Sequence, residues 1–182
     1  SSAASDVYKR QAWARFYAWK AGIRRQIRSV THFPFPLREV LVAALHQRIP
    51  FSGENERTIR TVTAAARSVG VSREHLSRTA GSGEVDLASY LDACNALNAL
   101  AEVKIEDRSW SEIAIRMGYS SQSGLTRLVK RGLGMTPTVA SSGAFGEWVG
   151  WWEHQVLEPL LAREVEDHTE WSSVTHRQTR AH

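Results

Sequence analysis

Cysteine occurs once, at Cys94, in a chain of 182 residues, so an internal disulfide framework is excluded. Its helical spacing with Leu87, Tyr90, Leu91 and Leu97 makes it a core residue. No apolar run approaches the length of a membrane span, and no secretory signal opens the chain, which fits a cytoplasmic protein with no membrane partner. The seven histidines are scattered. None forms a helical pair, and no Cys/His set has zinc spacing, so no metal site is expected. A glycine-rich phosphate loop and a GxSxG nucleophile turn are also missing, so neither catalytic residues nor a cofactor is expected. His75 reads as a polar residue on a solvent or DNA face.

Net charge is small in total but unevenly spread. The net +4 divides into +6 over residues 1–36, +2 over 37–140 and −4 over 141–182. A nucleic-acid contact built on the central segment must therefore rest on where its cations stand.

The central segment is organised around 109–137. Ser109 and Glu112 have the spacing of a capping box, and Trp110, Ile113, Ala114 and Met117 recur on one helical face. Gly118 ends that helix where a left-handed residue is needed, and Ser120 offers the next cap. Leu125, Leu128 and Val129 mark the buried face of the following helix. Its outward face keeps Ser121, Gln122, Ser123, Thr126, Arg127, Lys130 and Arg131, donors and cations suited to base edges and phosphates. Gly124 falls inside this helix, where glycine costs about 1 kcal/mol relative to alanine, so Gly124→Ala is expected to raise stability.

The pattern occurs twice. Val62, Ala66, Gly70 and Ser72 return forty-eight residues later as Trp110, Ala114, Gly118 and Ser120. Leu76 and Arg78 return as Leu125 and Arg127, one residue further on. Two copies of one helix-turn-helix unit follow, with second helices over 72–79 and 121–131. Arg73, Ser77 and Arg78 are the matching outward residues of the first copy. Two such units can read successive major-groove faces about 34 Å apart. The expected fold is all-α: two helix-turn-helix units joined by a long linker helix over 86–104, with extra N- and C-terminal helices.

Gly118-Tyr119-Ser120, Leu125-Thr126-Arg127, Lys130-Arg131 and Gly134-Met135-Thr136-Pro137 resemble the signature of the AraC/XylS transcription regulators. Residues 71–78, followed by Ala88-Ser89-Tyr90-Leu91, are similar to that family's first unit and linker helix. The resemblance spans about 37–137. It implies a bacterial regulator whose partner is double-stranded DNA, with RNA polymerase as a further candidate. It also implies an effector-binding or dimerisation domain ahead of these residues. The first unit departs from the family's basic, aromatic extension at 79–85, and the linker helix carries Asn95, Ala96 and Asn98 in place of arginines. The second unit is therefore expected to dominate binding. Two competing readings remain: a protein-interaction module with degenerate DNA binding, and the DNA-binding part of an enzyme such as an alkyl-accepting repair protein.

Residues 1–11 look like translated adaptor sequence and are set aside from the expected fold. Residues 12–36 are expected as a basic, aromatic helix and a proline-broken linker from a missing N-terminal domain, either packed on that domain or touching DNA. Residues 37–140 form the DNA-binding domain, opened by an amphipathic helix from Leu37 to about Ile49, with a polar loop over 52–56. Residues 141–182 are a tryptophan-rich helical tail after a Ser-Ser-Gly hinge, kinked at Pro159 and polar from 167 onward. Trp148, Trp151 and Trp152 either offer a partner surface or fold back on their own domain.

Overall fold

The computed structural model describes residues 2–49 and 58–162. The expected loop at 52–56 and the polar end lie outside them. The described residues form helices and connecting turns, with no strand among them. The helices are α1 (Ser2–Ser29), α2 (Phe35–His46), α3 (Val62–Ser68), α4 (Arg73–Ser82), α5 (Leu87–Glu106), α6 (Trp110–Arg116), α7 (Gln122–Leu133), α8 (Pro137–Ser142) and α9 (Phe145–Trp152). A π turn, Glu153–Leu157, continues α9.

The linker helix α5 starts where its cap requires. The Asp86 side chain accepts from the Ser89 backbone amide, satisfying a free first-turn donor. From Ala93 through Glu102 every residue is buried, so α5 is apolar-packed all round instead of along one stripe. One core joins α1, α2, α3, α4, the π turn and one side of α5 through Phe16, Ile23, Ile27, Leu37, Leu41, Leu76, Leu97 and Trp152. A second joins the other side of α5 to α6, α7 and α8 through Ala96, Leu100, Ile113, Met117, Leu125, Val129 and Leu133.

The buried asparagines of α5 are hydrogen-bonded, as burial demands. Asn95 accepts from Gln47 at 2.8 Å and donates to the Ile59 and Leu91 carbonyls at 3.0 and 2.8 Å. The asparagines that stand where arginines were expected thus face inward: Asn95 ties α2 and the lead-in to α3 onto α5. Asn98 accepts from Lys20 of α1.

Several boundaries differ from the sequence expectation. α1 begins at Ser2, because nothing in 2–11 interrupts a helix, and Lys9 pairs with Glu106 at 3.7 Å. α1 packs on α2 and α5 and neither stands off the domain nor shows its aromatic face to solvent. The linker before α2 is shorter than expected. Pro34 is the N-cap and Pro36 lies in the first turn, where a missing amide is harmless. α4 runs three residues past Thr79 before Gly83 stops it.

The tail folds back on its own domain. Trp152 is completely buried, edge-on to Trp19 of α1 at 5.4 Å, and Phe145 is edge-on to Phe16 at 5.1 Å. The π turn lies just ahead of Pro159, which lacks an amide to close an α-turn, and helix resumes over 158–162.

Gly132 sets how closely α7 approaches α5. A Cβ there would lie 2.4 Å from the Asp92 carbonyl oxygen and 2.7 Å from Ala96 Cβ. Gly132→Ala is expected to destabilise the protein by about 1–3 kcal/mol through overpacking, seen as a lower melting temperature by circular dichroism.

Lys20 gives a pH-dependent test of the α1 seam. Burial pushes its ammonium down from 10.5 to about 7; Cys94 and Glu102 oppose the shift and Arg48 adds to it. With the folded value below the unfolded one, the unfolded chain holds the extra proton between about 7 and 10.5, so this group makes stability rise with pH in that window. Lys20→Met is expected to flatten the rise between pH 7 and about 8.5 in urea unfolding, below the range where Cys94 titrates. An unchanged pH profile would show that Lys20 stays charged in the fold.

Candidate nucleic-acid interface

The two helix-turn-helix units share the closing bond of their turn and its left-handed glycine. In the first, the Val71 amide donates to the Ala66 carbonyl at 3.1 Å, and Gly70 sits at φ +71°. In the second, the Tyr119 amide donates to the Ala114 carbonyl at 2.9 Å, and Gly118 sits at φ +76°. A side chain is strained in that left-handed conformation, which is why both positions are glycine. The units diverge one residue later. Ser72 caps α4 by accepting from the His75 amide at 3.1 Å. In the second unit Ser121, not Ser120, is the N-cap, and its hydroxyl bonds that of Ser123 without capping the helix. The extra residue accounts for the shift of the repeat from forty-eight to forty-nine.

α6 is fixed in front of α7 by the Ser109–Glu112 capping box, complete in both directions. The Ser109 amide and hydroxyl hold the Glu112 carboxyl below its usual pKa. Ser111 of α6 donates to the Gln122 side-chain oxygen at 2.8 Å, leaving the Gln122 amide nitrogen to point outward.

On α7, Gln122, Ser123, Arg127 and Lys130 are exposed and Thr126 is half-buried, opposite the buried Leu125, Leu128 and Val129. Ser123, Arg127 and Lys130 follow at i, i+4 and i+7, one stripe along the helix. Arg127 and Lys130 have no acidic partner among the described residues. Arg131 is different: Asp92 of α5 accepts from its guanidinium at 2.8 Å and raises its pKa. Thr126 bonds back to the Gln122 carbonyl at 3.1 Å. On α4, Arg73, Ser77 and Arg78 are exposed beside Glu74 and His75. Glu74 places negative charge in the first turn of α4, whereas the first turn of α7 has none. The α7 N-terminus is therefore the more anion-attracting of the two.

Two residues to which the sequence reading assigned no role position α7. The Arg60 guanidinium donates to the Met117 carbonyl and lies 4.3 Å from the centre of the Tyr119 ring. Tyr119 in turn covers Gly124, where a Cβ would fall 2.4 Å from its ring. Tyr119 stands inside the Gly-Tyr-Ser signature, which was its signal. Arg60 precedes the first unit and belongs to no motif, so nothing in the sequence marked it.

Two helix-turn-helix units, each with a second helix exposing donors and cations, define a DNA-binding module of the class found in transcription regulators. Residues 65–141 match a family model described as a helix-turn-helix domain. The match supports a helix-turn-helix domain similar to those of the AraC/XylS regulators, and it takes in all of α4, α5, α6 and α7. No curated protein and no solved structure matches the chain. No helix among the described residues is long and apolar enough to cross a membrane.

The position of Tyr119 reverses the expectation for Gly124. A methyl group there collides with the ring close to its attachment point, beyond what the end of a flexible side chain can relieve. Gly124→Ala is expected to lower the melting temperature, and Arg60→Ala, which frees Tyr119 to swing away, to reduce the effect of adding it. A thermal-melt double-mutant cycle reads both; additive losses would mean the three residues act separately.

Proposed function

We propose that the chain is a sequence-specific transcription regulator that binds a defined duplex site, with α7 as the principal reader and α4 as a weaker second. The observation that carries this reading is the exposed face of α7: two unpaired cations and a free side-chain amide nitrogen on the second helix of a helix-turn-helix unit. Gln122 and Arg127 suit base edges, since an amide pairs with adenine and a guanidinium with guanine in the major groove. Ser121, Ser123, Thr126 and Lys130 suit bases or phosphates, and Arg131 reaches the backbone from its pair with Asp92. Arg73, Ser77 and Arg78 act in the first unit, beside Glu74, whose charge repels phosphate. The protein works in the cytoplasm on double-stranded DNA, and its regulatory partners are an effector or dimerisation domain and RNA polymerase. The turning inward of Trp152 removes most of what favoured the tail as a protein-docking face.

Arg127→Ala is expected to weaken a selected site by about 1–3 kcal/mol and to relax preference at one base pair, with Arg73→Ala and Arg78→Ala mild beside it. The measurement is a salt titration of affinity on a defined duplex, with hydroxyl-radical footprinting. Six phosphate contacts give a slope near −5 in log affinity against log salt, and one unit about half of that. A shallow slope with one protected groove supports a dominant second unit. Protection of two successive grooves with a slope steeper than about −5 restores symmetric reading. Absence of binding at any salt returns the protein-interaction reading.

A further inference from the structure

A cavity of about 600 Å³ lies between α1, the C-terminal end of α5 and the first turns of α9. Its size falls within the roughly 300–1,000 Å³ of small-molecule sites. Phe16, Trp19, Phe145 and Val149 form apolar wall, and Arg15 and Lys104 are its charged members. No carboxylate lines it. Arg15 is exposed and has no partner among the described residues. The Lys104 ammonium donates to the Ser141 carbonyl at 2.7 Å, which leaves it further donors. The start of α9 also faces this space through Ala144, Phe145 and Gly146, and Ala144 supplies no capping side chain. The Phe145 and Gly146 amides have no acceptor within the helix, whereas the Glu147 amide donates to the Ala144 carbonyl at 3.0 Å. Glu147, in the same turn, is not among the lining residues. Of those residues, Tyr8 alone comes from the first eleven, so the site does not depend on that stretch.

An aromatic-walled cavity with two cations and an open helix start, and no acid, selects for one kind of ligand. We propose that this cavity binds an amphipathic carboxylate, its acyl or aryl chain against Phe16, Trp19, Phe145 and Val149 and its head group between Arg15 and Lys104. This rests on the cavity alone and stands whether or not α7 reads DNA.

Decanoate, titrated into the whole chain by isothermal calorimetry below its micelle concentration, is the probe. One-to-one binding is expected. Decanol, which keeps the chain and lacks the charge, is expected to bind at least about tenfold more weakly, because a charge-assisted pair is lost. Arg15→Glu, a surface change that leaves the core intact, should weaken decanoate by about tenfold or more. Val149→Trp should abolish binding by filling the cavity, with unchanged far-ultraviolet circular dichroism as the check on folding. The proposal is overturned if decanoate gives no binding or if decanol binds as well. It is equally overturned if Arg15→Glu leaves decanoate affinity at the parent value, or if folded Val149→Trp still binds it.

Discussion

The contact between α5 and α7 is the constraint on which the rest of the structure depends. α7 meets α5 through Gly132, against the Asp92 backbone and the Ala96 methyl, at a distance no larger residue permits. That close approach fixes both the height of α7 above α5 and its rotation about its own axis. Once Leu125, Leu128, Val129 and Leu133 enter the core, Gln122, Arg127 and Lys130 can only face outward. Asp92 then holds Arg131 at the edge of the same contact. The exposed polar face of α7 is thus a consequence of how small residues let two helices pack.

α5 also carries polar side chains inward on its other faces, and these act as registers. An unpaired buried amide costs a kcal/mol or more, so Asn95 is satisfied in one arrangement of Gln47 and Ile59 and penalises others. Lys20 and Asn98 do the same for α1, with Phe16 under the ammonium at 4.4 Å. Glu102 is nearly buried, with its carboxyl pKa raised by burial, and is matched by Arg108 at 3.3 Å. A strongly alanine-rich helix would otherwise slide easily against its neighbours; these bonds define where it stops.

Much of this was legible in the chain. The capping box at Ser109, the left-handed glycines, the cap at Asp86 and the second-unit face all follow from local chemistry, which sequence spacing records directly. The tail could be read only as an alternative, because an apolar tryptophan face looks the same whether it meets a partner or its own domain. α1 was misjudged for a related reason: its surroundings, α2, α5 and Trp152, are remote in sequence. Gly124 shows the limit most clearly. Helix propensity alone favours alanine there, and only the placement of the Tyr119 ring, set by Arg60 from fifty-nine residues away, turns the sign.

That same Arg60–Tyr119 contact makes the two units unequal partners. Arg60 leads into the first unit, yet its guanidinium closes on the turn of the second, at the Met117 carbonyl and the Tyr119 face. The first unit therefore supports the geometry of α7 whatever its own contact with a ligand. Its second helix, α4, is capped by Ser72 and carries Glu74 in the first turn, so the positive helix end is satisfied within the protein itself. α7 has neither feature, and Ser111 aims Gln122 outward from behind. Duplication provides two similar turns, but capping and charge then set their second helices apart: α4 has a capped, acidic first turn, and α7 has neither a side-chain cap nor an acid there.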